Sequence, residues 1–317
     1  MSFNVSALTA YTAENQFELM TATVLGAKMM SLATVVPNIK GASKLPQLAQ
    51  SVIFQDDACS FLASGSTTIT QRTLTPGKVK INDSWCPKDL EPKYLSAEMA
   101  AGAHHESVTP EYVWAAIMSE YTKQIARDID IAIWKGEDGI GAGNNGHWDG
   151  FATLLATGTT DATGTITSVT DHATADEMMF NIYDAAALAG LTDFEDFTVF
   201  VGYDAYAAIV QSLIRGGSTY GAMLNNGMNG DASPDSAVEG LNYLGTGMNV
   251  VPVVGLNGTN KVFAGRRSNF FVGVDAENDF ESLESWYSQD DRVVKMAMEF
   301  KVGCQVAFPA EVISVQP

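Results

Sequence analysis

The last fifty residues constrain the fold most. They run as a string of short β-type segments, NFFVGVD, SLESWY, RVVKMAMEFKVGCQVAFP and EVISVQ, punctuated by an acidic turn at Asp290-Asp291. Before them the chain has already supplied a long helical pattern and a Gly-rich middle. The C-terminus must therefore return to build a sheet with something earlier, because strands need partners for their main-chain donors and acceptors.

Residues 110–135 give the strongest local signal. Thr109 is placed to cap a helix, Pro110 occupies the favoured first helical position, Glu111 complements the dipole and Gly136 ends the run. Val113, Ile117, Tyr121, Ile125, Ile129 and Ala132 recur at spacings of three and four, which is one apolar stripe. At 1.5 Å per residue the helix is about 39 Å long, a spine against which a sheet can pack. Trp114 and Trp134 on it are read as packing residues.

Around this helix the chain divides by texture. Residues 1–51 mix small apolar residues with Thr and Asn, with Pro37 and Pro46 in extended stretches, and read as an arm. From Val52 the pieces SVIFQDDA and STTITQRTLTPGKVKINDSWC are strand-like, and Pro76-Gly77 is expected to be the turn of a two-stranded excursion. A hairpin of that kind is marginal alone in water and needs another surface to lie on. After the Gly-rich loop at 139–146, TADEMMFNIYDAAALAGL reads as a helix and FTVFVG as a buried strand. Asp204 is expected to cap a helix through AYAAIVQSLI that stops at Gly216-Gly217. NVVPVVGL and KVFAG read as strands joined at the Asn257-Gly258 turn.

Composition excludes several classes. An apolar content of 46% with 17% charged residues belongs to a foldable globular chain. The net charge of −19 is unevenly placed: 11 basic residues face 15 acidic ones in 1–138, 4 face 20 in 139–291, and 3 face 2 in 292–317. An acidic middle repels phosphate, so a sequence-specific DNA reader is disfavoured. No apolar run is long enough to span a membrane and no basic leader opens the chain, which is read as soluble and made in a cytoplasm. Cys59, Cys86 and Cys304 are far apart and read as inert thiols.

The motifs that suggest chemistry carry little. Gly141-Ala142-Gly143-Asn144-Asn145-Gly146 matches a dinucleotide fingerprint by letter, but no strand precedes it and no helix follows. His104-His105 with Glu106 offers adjacent side chains that rarely converge on one ion. Asp275, Glu277, Asp279 and Glu281 alternate along one edge and read as a solvated acidic rim. No catalytic, cofactor-binding or metal-ligating residue is assigned.

Taken in order, and on segments such as VFAGRRSNFFVGVD and KVGCQVAFPAEVISV, the chain resembles the major capsid proteins of tailed bacteriophages, the Hong-Kong-97-type fold. The resemblance implies an α+β architecture: N-terminal arm 1–51, extended β-hairpin loop 52–100, peripheral domain 101–170 with the spine helix 110–136, axial domain 171–265, and returning strands of the peripheral domain 266–317. It implies an icosahedral shell of pentamers and hexamers that encloses double-stranded DNA in a virion assembled in a host cytoplasm. Scaffolding, portal and decoration proteins are the expected partners besides the chain itself, and with the arm beginning at Met1 either a separate scaffold or assembly without one is expected. Contacts between subunits are expected at Pro76, Gly77, Lys78, Lys80 and Trp85 of the loop and at Gly216 and Gly217. Lys28, Lys40 and Lys44 of the arm are expected to face DNA. No motif selects Lys78, Lys80 or Lys88 for the covalent cross-link some relatives form. The alternatives are an encapsulin-like nanocompartment and a soluble αβ enzyme.

Overall fold

The computed structural model describes residues 27–55, 64–86, 110–139, 143–161, 172–191, 196–215, 241–243, 246–275, 283–291 and 293–316. A short helix α1 (Lys28–Leu32) leads into β1 (Thr34–Val36), then β2 (Ser43–Val52), β3 (Gly65–Leu74) and β4 (Gly77–Trp85). The long helix α2 (Pro110–Lys135) precedes α3 (Phe151–Leu154), β5 (Thr160–Asp161) and α4 (His172–Leu188). Next come β6 (Phe197–Val201), α5 (Tyr203–Arg215), β7 (Leu241–Asn242), β8 (Asn249–Pro252) and β9 (Val262–Arg266). The chain closes with β10 (Phe270–Val274), β11 (Leu283–Ser288), β12 (Val293–Val306) and β13 (Ile313–Val315).

These elements build two sheets and a separate ribbon. In the five-stranded sheet the order is β1-β10-β12-β11, with β4 on the opposite side of β12 from β11. The six-stranded sheet runs β5-β13-β9-β6-β8-β7, and β2 pairs only with β3. The long helix spans the residues its sequence signals mark and ends where the Gly136 N–H bonds Ala132 O at 2.9 Å. Ile125, Ile129 and Ala132 are buried as expected and Ile117 and Tyr121 half-buried, while the side chains of Val113 and Trp114 lie outside the described residues.

The last turn of α2 joins the two halves. Trp134 is fully buried, with ring centroids 5.4 Å from Phe151, 5.2 Å from Phe200, 5.9 Å from Phe263 and 6.4 Å from Phe270. Phe270 comes from the five-stranded sheet and Phe200 and Phe263 from the six-stranded one, so a single indole sits where the two sheets meet, inside one core. A second core lies between α4, α5 and the six-stranded sheet, built on Met178, Met179, Ile182, Val199 and Ile209.

Several expected connections differ. The turn at Pro76-Gly77 does not join a hairpin: β3 pairs with β2 from Ser43↔Leu74 to Val52↔Gly65, and β4 pairs with β12 from Val294↔Trp85 to Val302↔Gly77. Burial explains the choice, because β4 alternates and packs Val79, Ile81 and Trp85 onto the core, which a pairing with the Thr-rich β3 would leave in water. Strands β8 and β9 do not pair at Asn257-Gly258 either, since β6 lies between them, parallel to β8 and antiparallel to β9. Strand β13 leaves the sheet that backs α2 and enters the six-stranded one against β9. The first N–H of α5, at Tyr203, is taken by the Asn257 side chain at 2.7 Å rather than by Asp204. Asp204 instead accepts from the N–H of Ala205 at 3.0 Å and of Gly258 at 3.1 Å, locking that turn onto the helix start.

Candidate assembly surfaces

The β2–β3 ribbon is about 33 Å long at 3.3 Å per residue. Along it, β3 is exposed from Gly65 to Gln71 and buries only its end, at Leu74. Leu48 and Ile69 stand directly opposite each other on one face, 55% and 73% exposed, and just past the paired residues Ile53 and Phe54 are 56% and 97% exposed. Only the root is fixed: Leu74 is fully buried and the Gln305 amide donates to Thr73 O at 2.7 Å. An extended element with apolar residues in water and its hydrophobic anchor at one end is shaped to lie on another surface.

The expected contact residues separate into two groups. Pro76 and Gly77 sit at the root, not at a tip. A side chain on Gly77 would come within 2.2 Å of the His147 carbonyl oxygen, and one on Gly303 within 2.8 Å of Pro76 Cα, so this corner is packed inside its own subunit. Trp85 also packs internally, edge-on to Tyr121 at 5.9 Å. Lys78 and Lys80 are exposed on β4, an edge strand among the described residues. Lys80 pairs with Glu299 across β12 at 3.1 Å in a solvated bridge worth about 0 to 1 kcal/mol. Gly216 and Gly217, the arm before Ala27, Cys59, Lys88, His104-His105 with Glu106, and Glu277, Asp279 and Glu281 lie outside the described residues.

The arm lysines also divide. Lys40 and Lys44 are exposed, whereas the Lys28 ammonium turns inward and donates to Pro252 O at 2.8 Å. Burial lowers the Lys28 pKa, opposed by Asp130 beside it. Asp130 is only 3% exposed and accepts the Met29 N–H at 3.0 Å. Burial raises its pKa, against the pull of that N–H and of Lys28. Both groups line an open cleft of about 470 Å³ between α1, α2 and the start of α5, with Lys123, Arg127, Thr122 and Tyr203 also on its walls.

Asp275 corrects the solvated acidic rim at the position described. It is buried and bonds Lys301 Nζ at 2.7 Å, an internal ion pair on neighbouring strands. Cys304 is buried too, donates to Asp149 O at 2.9 Å, and is pushed well above the ordinary thiol pKa by burial, which fits an inert thiol. No group of three metal-ligating side chains gathers among the described residues. No helix there is long and apolar enough to cross a membrane.

With this geometry, the overall path of the chain matches solved shell structures. A chain of Gordonia phage Cozz aligns over 92% of this chain and 86% of its own length, with a TM-score of 0.58 at 15% identity. The fold is that of tailed-phage major capsid proteins. The capsid of the native GTA particle matches over 93% of this chain and 90% of its own, with a TM-score of 0.56 at 13% identity. A virus-like particle from Pyrococcus furiosus covers 94% and 96%, with a TM-score of 0.52 at 11% identity. No protein-family model and no curated protein matches the sequence.

The ribbon's exposed pair was missed in the sequence because SVIFQDDA draws attention to the wrong strand. The usable signal was KLPQLAQSV beside STTITQRTL, two runs of equal length that pair without a slip.

Proposed function

We propose that this chain is a major capsid protein whose copies form pentamers and hexamers and close into an icosahedral shell around double-stranded DNA. The observation that carries the reading is the pairing of a shell-protein fold along more than nine-tenths of the chain with a ribbon that leaves Leu48 and Ile69 in water. In this reading the β2–β3 ribbon is the extended loop, α2 with the five-stranded sheet is the peripheral domain, and α4, α5 and the six-stranded sheet are the axial domain. Ring symmetry makes the ribbon contact heterologous, each subunit covering the next. The residues before the ribbon act as the arm, which then ends ahead of Ser43 instead of at 51, with Gly216 and Gly217 near the capsomer axis. Scaffold, portal and decoration proteins are the further partners, the virion is the location, host cytoplasm the place of assembly, and no membrane step is involved.

A second reading, an encapsulin-like shell with protein cargo, draws on the likeness to the virus-like particle from Pyrococcus furiosus. The enzyme reading is weaker, because Asp204, in the first turn of α5 after FTVFVG, spends its carboxylate on Gly258 and Ala205. The test is expression of the full chain, alone and with its neighbouring genes, followed by negative-stain microscopy and mass photometry. Closed shells or five- and six-fold rings support the proposal, and DNA that resists nuclease until the shells are opened separates a virion from a protein compartment. A monomer in both expressions overturns it.

A further inference from the structure

The cleft between α1, α2 and α5 concentrates positive charge in a chain whose net charge is −19. Lys123 and Arg127 stand one helical turn apart on the exposed side of α2, where like charges at that spacing repel each other. The described residues offer them little relief. Glu120 approaches Lys123 only to 3.9 Å in an exposed pair, and no described carboxylate pairs with Arg127. Across the cleft Lys28 spends one N–H on Pro252 O and keeps two. Among the described residues Asp130 is the one acidic group on the walls, sunk below them and held by the Met29 N–H. Three cations against one buried carboxylate leave the mouth positive, and Tyr203 stands at it 45% exposed, a ring face beside the cations.

We propose that this cleft binds a phosphate group of a nucleic-acid backbone, with Arg127 and Lys123 on its oxygens, Lys28 behind and a base stacked on Tyr203. Guanidinium and ammonium groups are the usual partners of phosphate, and an aromatic ring at the rim serves an unpaired base where an acidic peptide would have no use for it. The site goes beyond the shell reading, because a base free to stack belongs to a single strand and not to packaged duplex. Because the whole chain is acidic, binding is confined to this cleft and is strongly dependent on salt.

The experiment follows a short fluorescein-labelled oligothymidylate by anisotropy against the full-length chain, between about 50 and 200 mM salt. Lys123→Ala/Arg127→Ala is expected to weaken binding at least about tenfold and to reduce the salt slope by about 0.7, the value for one single-strand phosphate. Both side chains are exposed, so the urea midpoint should not move. Lys78→Ala/Lys80→Ala, the exposed pair on β4, is the control and should leave oligonucleotide binding nearly unchanged. Displacement of the oligonucleotide by inorganic phosphate means that the site takes the group itself. Failure of phosphate to displace it, with the cleft variant still weakened, assigns the site to the polymer; either result supports the proposal. Equal loss from both double variants, no loss from the cleft variant, or displacement by a glutamate peptide as readily as by unlabelled oligonucleotide overturns it. If the chain forms no shells yet the cleft variant alone loses the oligonucleotide, the shell reading fails and the phosphate site stands.

Discussion

The β2–β3 ribbon and the β12 strand are both long antiparallel elements, and they treat their side chains in opposite ways. Along β12, Val294, Met296, Met298 and Phe300 are buried in alternation, and the strand is paired on both sides, by β4 and by β11 and β10. Along the ribbon, β3 buries nothing until Leu74. Burying a side chain the size of leucine contributes about 1.5 to 3 kcal/mol, so β12 holds the subunit together while the ribbon withholds that contribution from it. The difference teaches that this chain leaves part of its apolar surface in water, which the proposed shell would cover with a second copy, and that the subunit must be stable without that contact.

The sharpest way to break that contrast is Trp134→Ala, where the two sheets meet in one core. Its loss should cost about 3 to 5 kcal/mol, read as a lower urea midpoint of the unassembled subunit. Lys301→Met is next: it strands the buried Asp275 carboxylate and should cost about 3 kcal/mol by the same measurement, the low end for breaking a buried pair. The double change Leu48→Ser/Ile69→Ser should do the reverse of both, shifting subunit stability by no more than about 0.5 kcal/mol while preventing closed particles.

Smaller effects test the electrostatics of the packed side. Burial raises the Asp130 pKa, so its neutral form favours the fold. That contribution is fully present below about pH 3.9 and is lost as pH rises through the raised native value. Asp130→Asn keeps an oxygen for the Met29 N–H, and the urea midpoint of the parent minus that of the variant should therefore fall between acid and neutral pH. Tyr121, pushed up to about 12 by burial and by the Asp83 carboxylate, should titrate late in an ultraviolet titration of the folded chain. Asp83→Asn should bring it down.

The sequence was most legible where one element is self-contained. The caps and stripe of α2 announce its limits, and the alternation of RVVKMAMEFKVGCQV announces β12. Pairing was less legible, because Pro76-Gly77 looks like a hairpin turn and only the tertiary contact with His147 makes it a corner between two sheets. The same holds for Asn257-Gly258, whose flanking strands are split by β6 from sixty residues earlier. The contact surface was legible in kind but not in residues: the excursion was expected, yet its exposed pair, Leu48 and Ile69, emerges only once the register is known. Lys28 read as a surface cation because nothing local reveals Pro252 O, which is distant in sequence and close in space.

The most direct test of the central claim is the reactivity of a thiol at Ile69, introduced as Ile69→Cys in a chain carrying Cys59→Ser and Cys86→Ser. Labelled as the free subunit and again after assembly, Cys304 stays buried in both states and adds no background. The account predicts rapid labelling of the free subunit, where Ile69 is 73% exposed, and strong protection in closed particles. Equal labelling in the two states would contradict it, because the ribbon would then lie on no neighbour.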